Sequence, residues 1–223
     1  GDADSGELSP FGSDLDEEHE VEVTSSVFGE VEIGSWMVEW GEDGTYSSGT
    51  WTFSIPYEII DSTGVSANAT VVLKIGGNTY ESSSQIPAFY LTGSGELQVP
   101  VEVEAGEISK NDKIEVDFSI RSLIFSNPGS ESGIRFQWGT SEMDASLSIS
   151  FPLVHVEMRE ANVRGDLVFF PVRLTSGFGD RMWTSSSGFL KVNNDDISES
   201  PIVNSNDEWV DVTFVWRPSD SAG

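Results

Sequence analysis

Apolar and polar residues alternate with period two along most of this chain. Trp51, Phe53 and Ile55 alternate with Thr50, Thr52 and Ser54, and Leu97, Val99, Val101 and Val103 with Glu96, Gln98, Pro100 and Glu102. Ile114, Val116, Phe118 and Ile120 alternate in the same way with Glu115, Asp117, Ser119 and Arg121. Successive side chains of an extended strand point to opposite faces, so this is the pattern of strands with one face in a core. Helical spacing is scarce. Clusters of Gly, Pro and Ser interrupt the alternation at intervals of about 8–12 residues, the rhythm of antiparallel sandwiches. The pattern predicts an all-β protein.

Several strand segments echo one another in order. Val21-Glu22-Val23 is echoed by Ile114-Glu115-Val116, Trp40-Gly41 by Trp138-Gly139, and Phe53-Ser54-Ile55-Pro56 by Ile149-Ser150-Phe151-Pro152. Tyr80-Glu81-Ser82-Ser83-Ser84 resembles Trp183-Thr184-Ser185-Ser186-Ser187, and Glu96 to Val101 resembles Glu208 to Thr213. The spacing between members grows along the chain, as it does when a second copy carries longer loops. The echoes predict two tandem antiparallel β-sandwich domains, immunoglobulin-like or jelly-roll, related by internal duplication. Their expected ranges are 21–108 and 109–223, divided in the polar stretch from Ala105 to Asp112. Residues 1–20 are acidic and rich in Gly and Ser, with Leu8, Phe11 and Leu15 as their apolar residues. They read as a flexible tail or as a donor segment for another sheet.

Composition narrows the function classes. A length of 223 residues accommodates two domains of ordinary size, and seven tryptophans supply core material that a disordered chain lacks. Acidic residues number 38 against 11 basic ones, a formal net charge of −27. Such a surface repels phosphate backbones and anionic lipid, which argues against nucleic acid and membranes as partners. Solubility, life in high salt, and binding of divalent cations are its positive readings. Cysteine is absent, which removes disulfides, thiolate nucleophiles and cysteine-ligated zinc. No run approaches the roughly 20 apolar residues of a membrane helix. The chain opens on Gly1 without a signal peptide, which reads as a processed mature protein or a segment of a longer one.

Candidate chemistry is thin. Asp2-Ala3-Asp4-Ser5-Gly6 opens like a calcium loop but lacks the later bidentate glutamate. Glu42-Asp43 beside Gly44 and Asp195-Asp196 with Glu199 are two further acidic turns in which converging loops could share calcium; a solvated turn is the better explanation of each taken singly. His155, Glu157 and Arg159 fall on one strand face, without a third ligand for a metal. No Gly-x-Ser-x-Gly elbow occurs, and abundant carboxylates alone do not make a glycosidase pair. Arg164-Gly165-Asp166 spells a tripeptide read by integrin-type receptors, and we read it as a hairpin turn. Asn68-Ala69-Thr70 is a glycosylation sequon, informative for an exported protein. Trp209 lies with Asp211 and Thr213 on the face opposite Val210, Val212, Phe214 and Trp216; Trp183 borders a serine-rich loop. Both could stack sugars.

These features lead to the expectation of a non-enzymatic extracellular or cell-surface protein, structural or adhesive. It would self-associate or meet other surface proteins, with calcium as the candidate cofactor. A filament or surface-layer subunit would add a strand containing Val21, Val23 and Val27 to a neighbour's sheet edge. A carbohydrate-binding module using Trp183 and Trp209 is the alternative, and a carboxylate-based glycosidase ranks third.

Overall fold

The computed structural model describes residues 4–8, 18–24, 29–82, 88–140, 142–150, 154–178, 191–192, 195–196, 201–206 and 209–218. Its regular structure is nearly all strand, arranged in several sheets with mostly antiparallel pairing. Among the described residues no helix is long and apolar enough to cross a membrane. Two compact units result, Gly1–Phe151 and Pro152–Gly223.

The first unit is a β-sandwich. Its first sheet contains β1 (Asp4–Glu7), β3 (Glu30–Glu39), β6 (Gly64–Ile75), β7 (Asn78–Glu81), β8 (Ala88–Leu91) and β11 (Lys113–Ser126). These run in the order β1-β3-β11-β6, with β7 and β8 side by side on the far edge of β6. Its second sheet contains β2 (His19–Thr24), β5 (Gly49–Ile60), β9 (Ser94–Val103), β12 (Gly133–Trp138) and β13 (Ser146–Ser148). There β9 lines one edge of β5, while β13 and β12 line the other, and β2 closes the sheet beyond β12. A small pair, β4 (Gly44–Tyr46) with β10 (Gly106–Ile108), completes the unit.

Alternation determines which face is buried. Val65, Ala67, Ala69, Val71, Leu73 and Ile75 of β6 are all buried, as are Ile114, Val116, Phe118 and Ile120 of β11 and Leu97, Val99, Val101 and Val103 of β9. Between the sheets the aromatic rings form a zipper. Trp138 meets Trp36 (5.4 Å between centroids), Trp36 meets Phe53 (5.1 Å), Phe53 meets Phe118 (5.3 Å), and Phe118 meets Phe136 (5.4 Å). Trp36 and Phe118 come from the first sheet and the other three from the second, so each contact spans the two layers. Such ring pairs contribute about 0.5–1.5 kcal/mol each beyond the area they bury.

The boundary expected at 108/109 lies between β10 and β11, and both strands belong to the first unit. β11 is the strand between β3 and β6, and β12 the strand between β5 and β2, so both sheets need chain beyond residue 108. The echoed pairs Val21/Ile114 and Trp40/Trp138 accordingly fall within one unit. The N-terminal stretch, expected as a flexible tail or a donor segment, contributes β1 to the first sheet.

The second unit is built on one described sheet. It contains β14 (His155–Met158), β15 (Asn162–Arg164), β16 (Leu167–Thr175), β19 (Ile202–Ser205) and β20 (Trp209–Trp216). β16 pairs with β14 and β15 on one edge and with β20 on the other, and β19 lies beyond β20. A two-stranded piece, β17 (Lys191–Val192) with β18 (Asp195–Asp196), accompanies it. Arg164 pairs with Leu167 across a two-residue turn in which Gly165 takes φ +65°. That backbone conformation favours glycine, so the Arg164-Gly165-Asp166 tripeptide has a local explanation as a hairpin tip.

Candidate functional site

Three places concentrate chemistry or unusual pairing. The first is the β3 edge. β1 runs parallel to β3, with Asp4, Ser5, Gly6 and Glu7 in register with Gly34, Ser35, Trp36 and Met37. Leu8 extends the ladder by donating its amide to the Met37 carbonyl at 2.9 Å. It is the one parallel pair among the described strands. The stretch of β3 that it covers is uncharged, with Glu32 before it and Glu39 after it. β2, which carries Val21 and Val23, is the edge strand of the other sheet, and Val23 is buried against the core. Val27 lies outside the described residues.

The second place is the polar face of the second unit. Register places Glu157, Arg173, Asp211 and Asn204 in one row across four strands. Arg173 grips Asp211 with two bonds, Nε to Oδ1 and Nη2 to Oδ2, both 2.7 Å. This fork holds the Asp211 carboxyl below its usual range and raises Arg173 further. Arg159 adds its Nη1 at 3.8 Å from Asp211 Oδ2. The Arg173 guanidinium also lies 4.0 Å from the ring centroid of Trp209, a cation–π contact that covers one face of a half-buried indole. His155 is exposed and sits in the next row, beside Thr175 and Trp209. The structure thus gathers Trp209, Asp211, His155, Glu157 and Arg159 on one face. Arg173, which ties them together, was not singled out by sequence, because its partner sits on a distant strand.

The third place is a set of lone cations on the outer faces of the sandwich. Lys74 bonds Glu115 and, at 2.7 Å, Asp117, and its pKa is raised chiefly by those bonds. Ser35 donates to the other oxygen of Asp117 at 2.7 Å. On the second sheet Arg135 faces Glu20 (3.1 Å), Glu22 (3.2 Å) and Glu58 (3.4 Å). Burial works to lower its pKa, and the three carboxylates outweigh that and raise it. Each cation serves several acids, the arrangement expected where acids greatly outnumber bases.

The expected calcium residues are scattered. Asp43 accepts the Lys110 amide at 2.8 Å and so fastens the loops of the β4–β10 pair, with Glu42 half-buried beside it. Asp4 lies on β1, and Asp195 and Asp196 form β18; the side chains of these three are not described. Asp2 and Trp183 lie outside the described residues. Among the described residues no three acidic or histidine side chains cluster as metal ligands would.

The fold and these faces define an all-β sandwich protein. No family model and no curated protein matches the chain. Among solved structures it is similar to a CocE/NonD family hydrolase from Staphylococcus aureus, at 11% identity and a TM-score of 0.36. The match covers 60% of this chain and 33% of that one, and a likeness at this level carries no argument.

Proposed function

We propose that this chain is a non-enzymatic structural or adhesive protein of the extracellular or cell-surface space, whose copies assemble into filaments or a surface layer. The observation that carries the reading is β1: a separate four-residue segment completes a sheet edge, the means by which strands also join separate molecules. The acidic surface and the absence of cysteine suit an exported protein that relies on neither disulfides nor nucleic acid. In this reading the echoes Val21/Ile114 and Trp40/Trp138 repeat strand chemistry inside one sandwich. The chain is then a sandwich followed by a smaller sheet unit, in place of two equal repeats. A role for calcium is left to Asp2, Asp4, Asp195 and Asp196. Size-exclusion chromatography with light scattering, in chelator and in millimolar calcium, tests both parts. Assembly in either condition supports self-association, and growth confined to calcium assigns the acidic loops a part. A monomer throughout contradicts the reading.

A carbohydrate-binding function is favoured by one specific observation, the Trp209–Arg173–Asp211 cluster with its aromatic ring and bidentate polar groups on one face. Glycan quenching of tryptophan fluorescence that disappears in Trp209→Ala would support it. A flat response across a glycan panel would end it.

A further inference from the structure

We infer that the strand Asp4–Glu7 is exchangeable: the β3 edge of one copy takes β1 of the next, so that the chain is donor at Asp4–Glu7 and acceptor at Gly34–Met37. This deepens the assembly reading of the preceding section and rests on it.

The argument starts from what holds β1 in place. A parallel neighbour cannot be reached by a hairpin and needs a longer connection. Here the connection runs from Leu8 to Glu18 and ends on β2, in the other sheet. β1 is four residues long, and its described backbone pairing, with Leu8, is wholly to β3. Each backbone hydrogen bond contributes about 1 kcal/mol net, while ordering each residue costs about 1–2 kcal/mol. A strand this short, with that balance, frays easily. The ten peptide links from Leu8 to Glu18 extend to about 35 Å at most, enough for β1 to reach beyond its own sandwich.

The acceptor has the properties of a pairing site. β3 is ten residues long and its core face carries Ile33, Trp36 and Val38, all buried. Stripped of β1 it is a long sheet edge, and edges are protected from other chains by charge, proline or cover. β9, an edge of the second sheet, has the first two devices, with Glu96, Pro100 and Glu102 on its exposed side. On β3 the charges stand at Glu32 and Glu39, and among the described residues β1 is the cover of Gly34-Ser35-Trp36-Met37 between them. Met37, 39% exposed, is among the few large apolar residues of this unit open to water. Donor and acceptor are different surfaces of one chain. Exchange passed from copy to copy is head-to-tail and propagates into a filament, whereas reciprocal exchange between two copies closes a dimer. The net charge of −27 opposes such contact at low salt, and molar salt cuts the range of that repulsion to about 3 Å.

The chain has no cysteine, and Ser5 is in register with Ser35. Registered neighbours on adjacent strands lie about 4.8 Å apart, within reach of a disulfide. The full-length Ser5→Cys/Ser35→Cys protein, oxidised in molar NaCl and run on non-reducing gels, distinguishes the cases. Head-to-tail exchange predicts a ladder beyond dimer, whereas either single variant stops at dimer; a double variant that also stops at dimer overturns the filament form of exchange. Sedimentable assemblies whose disulfide stays within one chain, or that form no disulfide, overturn exchange and leave the assembly reading standing. Protein that remains monomeric by light scattering overturns both. Gly6→Pro, which removes a backbone donor from β1, guards against a folding defect in the double variant. It should keep the wild-type melting curve and lose assembly. Unchanged assembly would again overturn exchange.

Discussion

Single residues carry two separable kinds of stabilisation in this chain. Phe118 touches Phe53 and Phe136 across the sandwich and is fully buried, so its truncation leaves a cavity in mid-zipper. Phe118→Ala should destabilise the first unit by about 3–5 kcal/mol in a denaturant titration; a loss under 1 kcal/mol would mean that the rings do not interlock. Asp211 acts by charge. Its folded-state pKa lies below the ordinary value because Arg173 holds the ionised form, so its contribution is present above the unfolded carboxylate pKa of about 3.9 and is lost as pH falls through the folded value. Asp211→Asn should cost about 1–2 kcal/mol at neutral pH, with the gap to wild type closing below about pH 4. A gap independent of pH would place the effect elsewhere. The parity that sets Trp209 and Asp211 opposite Val210 and Val212 is written in their alternation. The Arg173 that covers Trp209 is not, since alternation says which face a residue takes and nothing about the strand beside it.

At the scale of elements, the strands themselves were legible and their partners were not. The alternating runs around Trp51, Leu97 and Ile114 are strands β5, β9 and β11 with the expected core faces. Yet β11 pairs with β3 and β6, which precede it by long stretches of chain, and no local pattern encodes such pairing. The echo between Val21-Glu22-Val23 and Ile114-Glu115-Val116 suggested a second domain because any two strands that share a core use the same apolar–acidic alternation. The place of β1 is not legible for a related reason: Asp4-Ser5-Gly6-Glu7 has no apolar alternation. The observed layout makes a prediction at this scale. A fragment of residues 1–108 lacks β11 and β12, the inner strands of both sheets, and should remain unfolded by circular dichroism. Residues 1–151 should melt cooperatively. Cooperative folding of the shorter fragment would restore a boundary near residue 108.

For the whole molecule, charge and the sheet edge act together. Lys74 and Arg135 each serve several carboxylates, and the sequence carries 38 acidic residues against 11 basic ones. Folding compacts that charge, so screening should raise thermal stability. The melting temperature is expected to climb from 0.05 M to 2 M NaCl, and a flat profile would show that self-repulsion is not limiting. The same screening lets copies approach. The most direct measurement is electron microscopy of the full-length protein in molar NaCl beside its Gly6→Pro variant, both first shown to be folded. Filaments or sheets formed by the wild type and missing from the variant are the predicted result. A wild type that stays dispersed, or a variant that assembles equally well, would contradict the account.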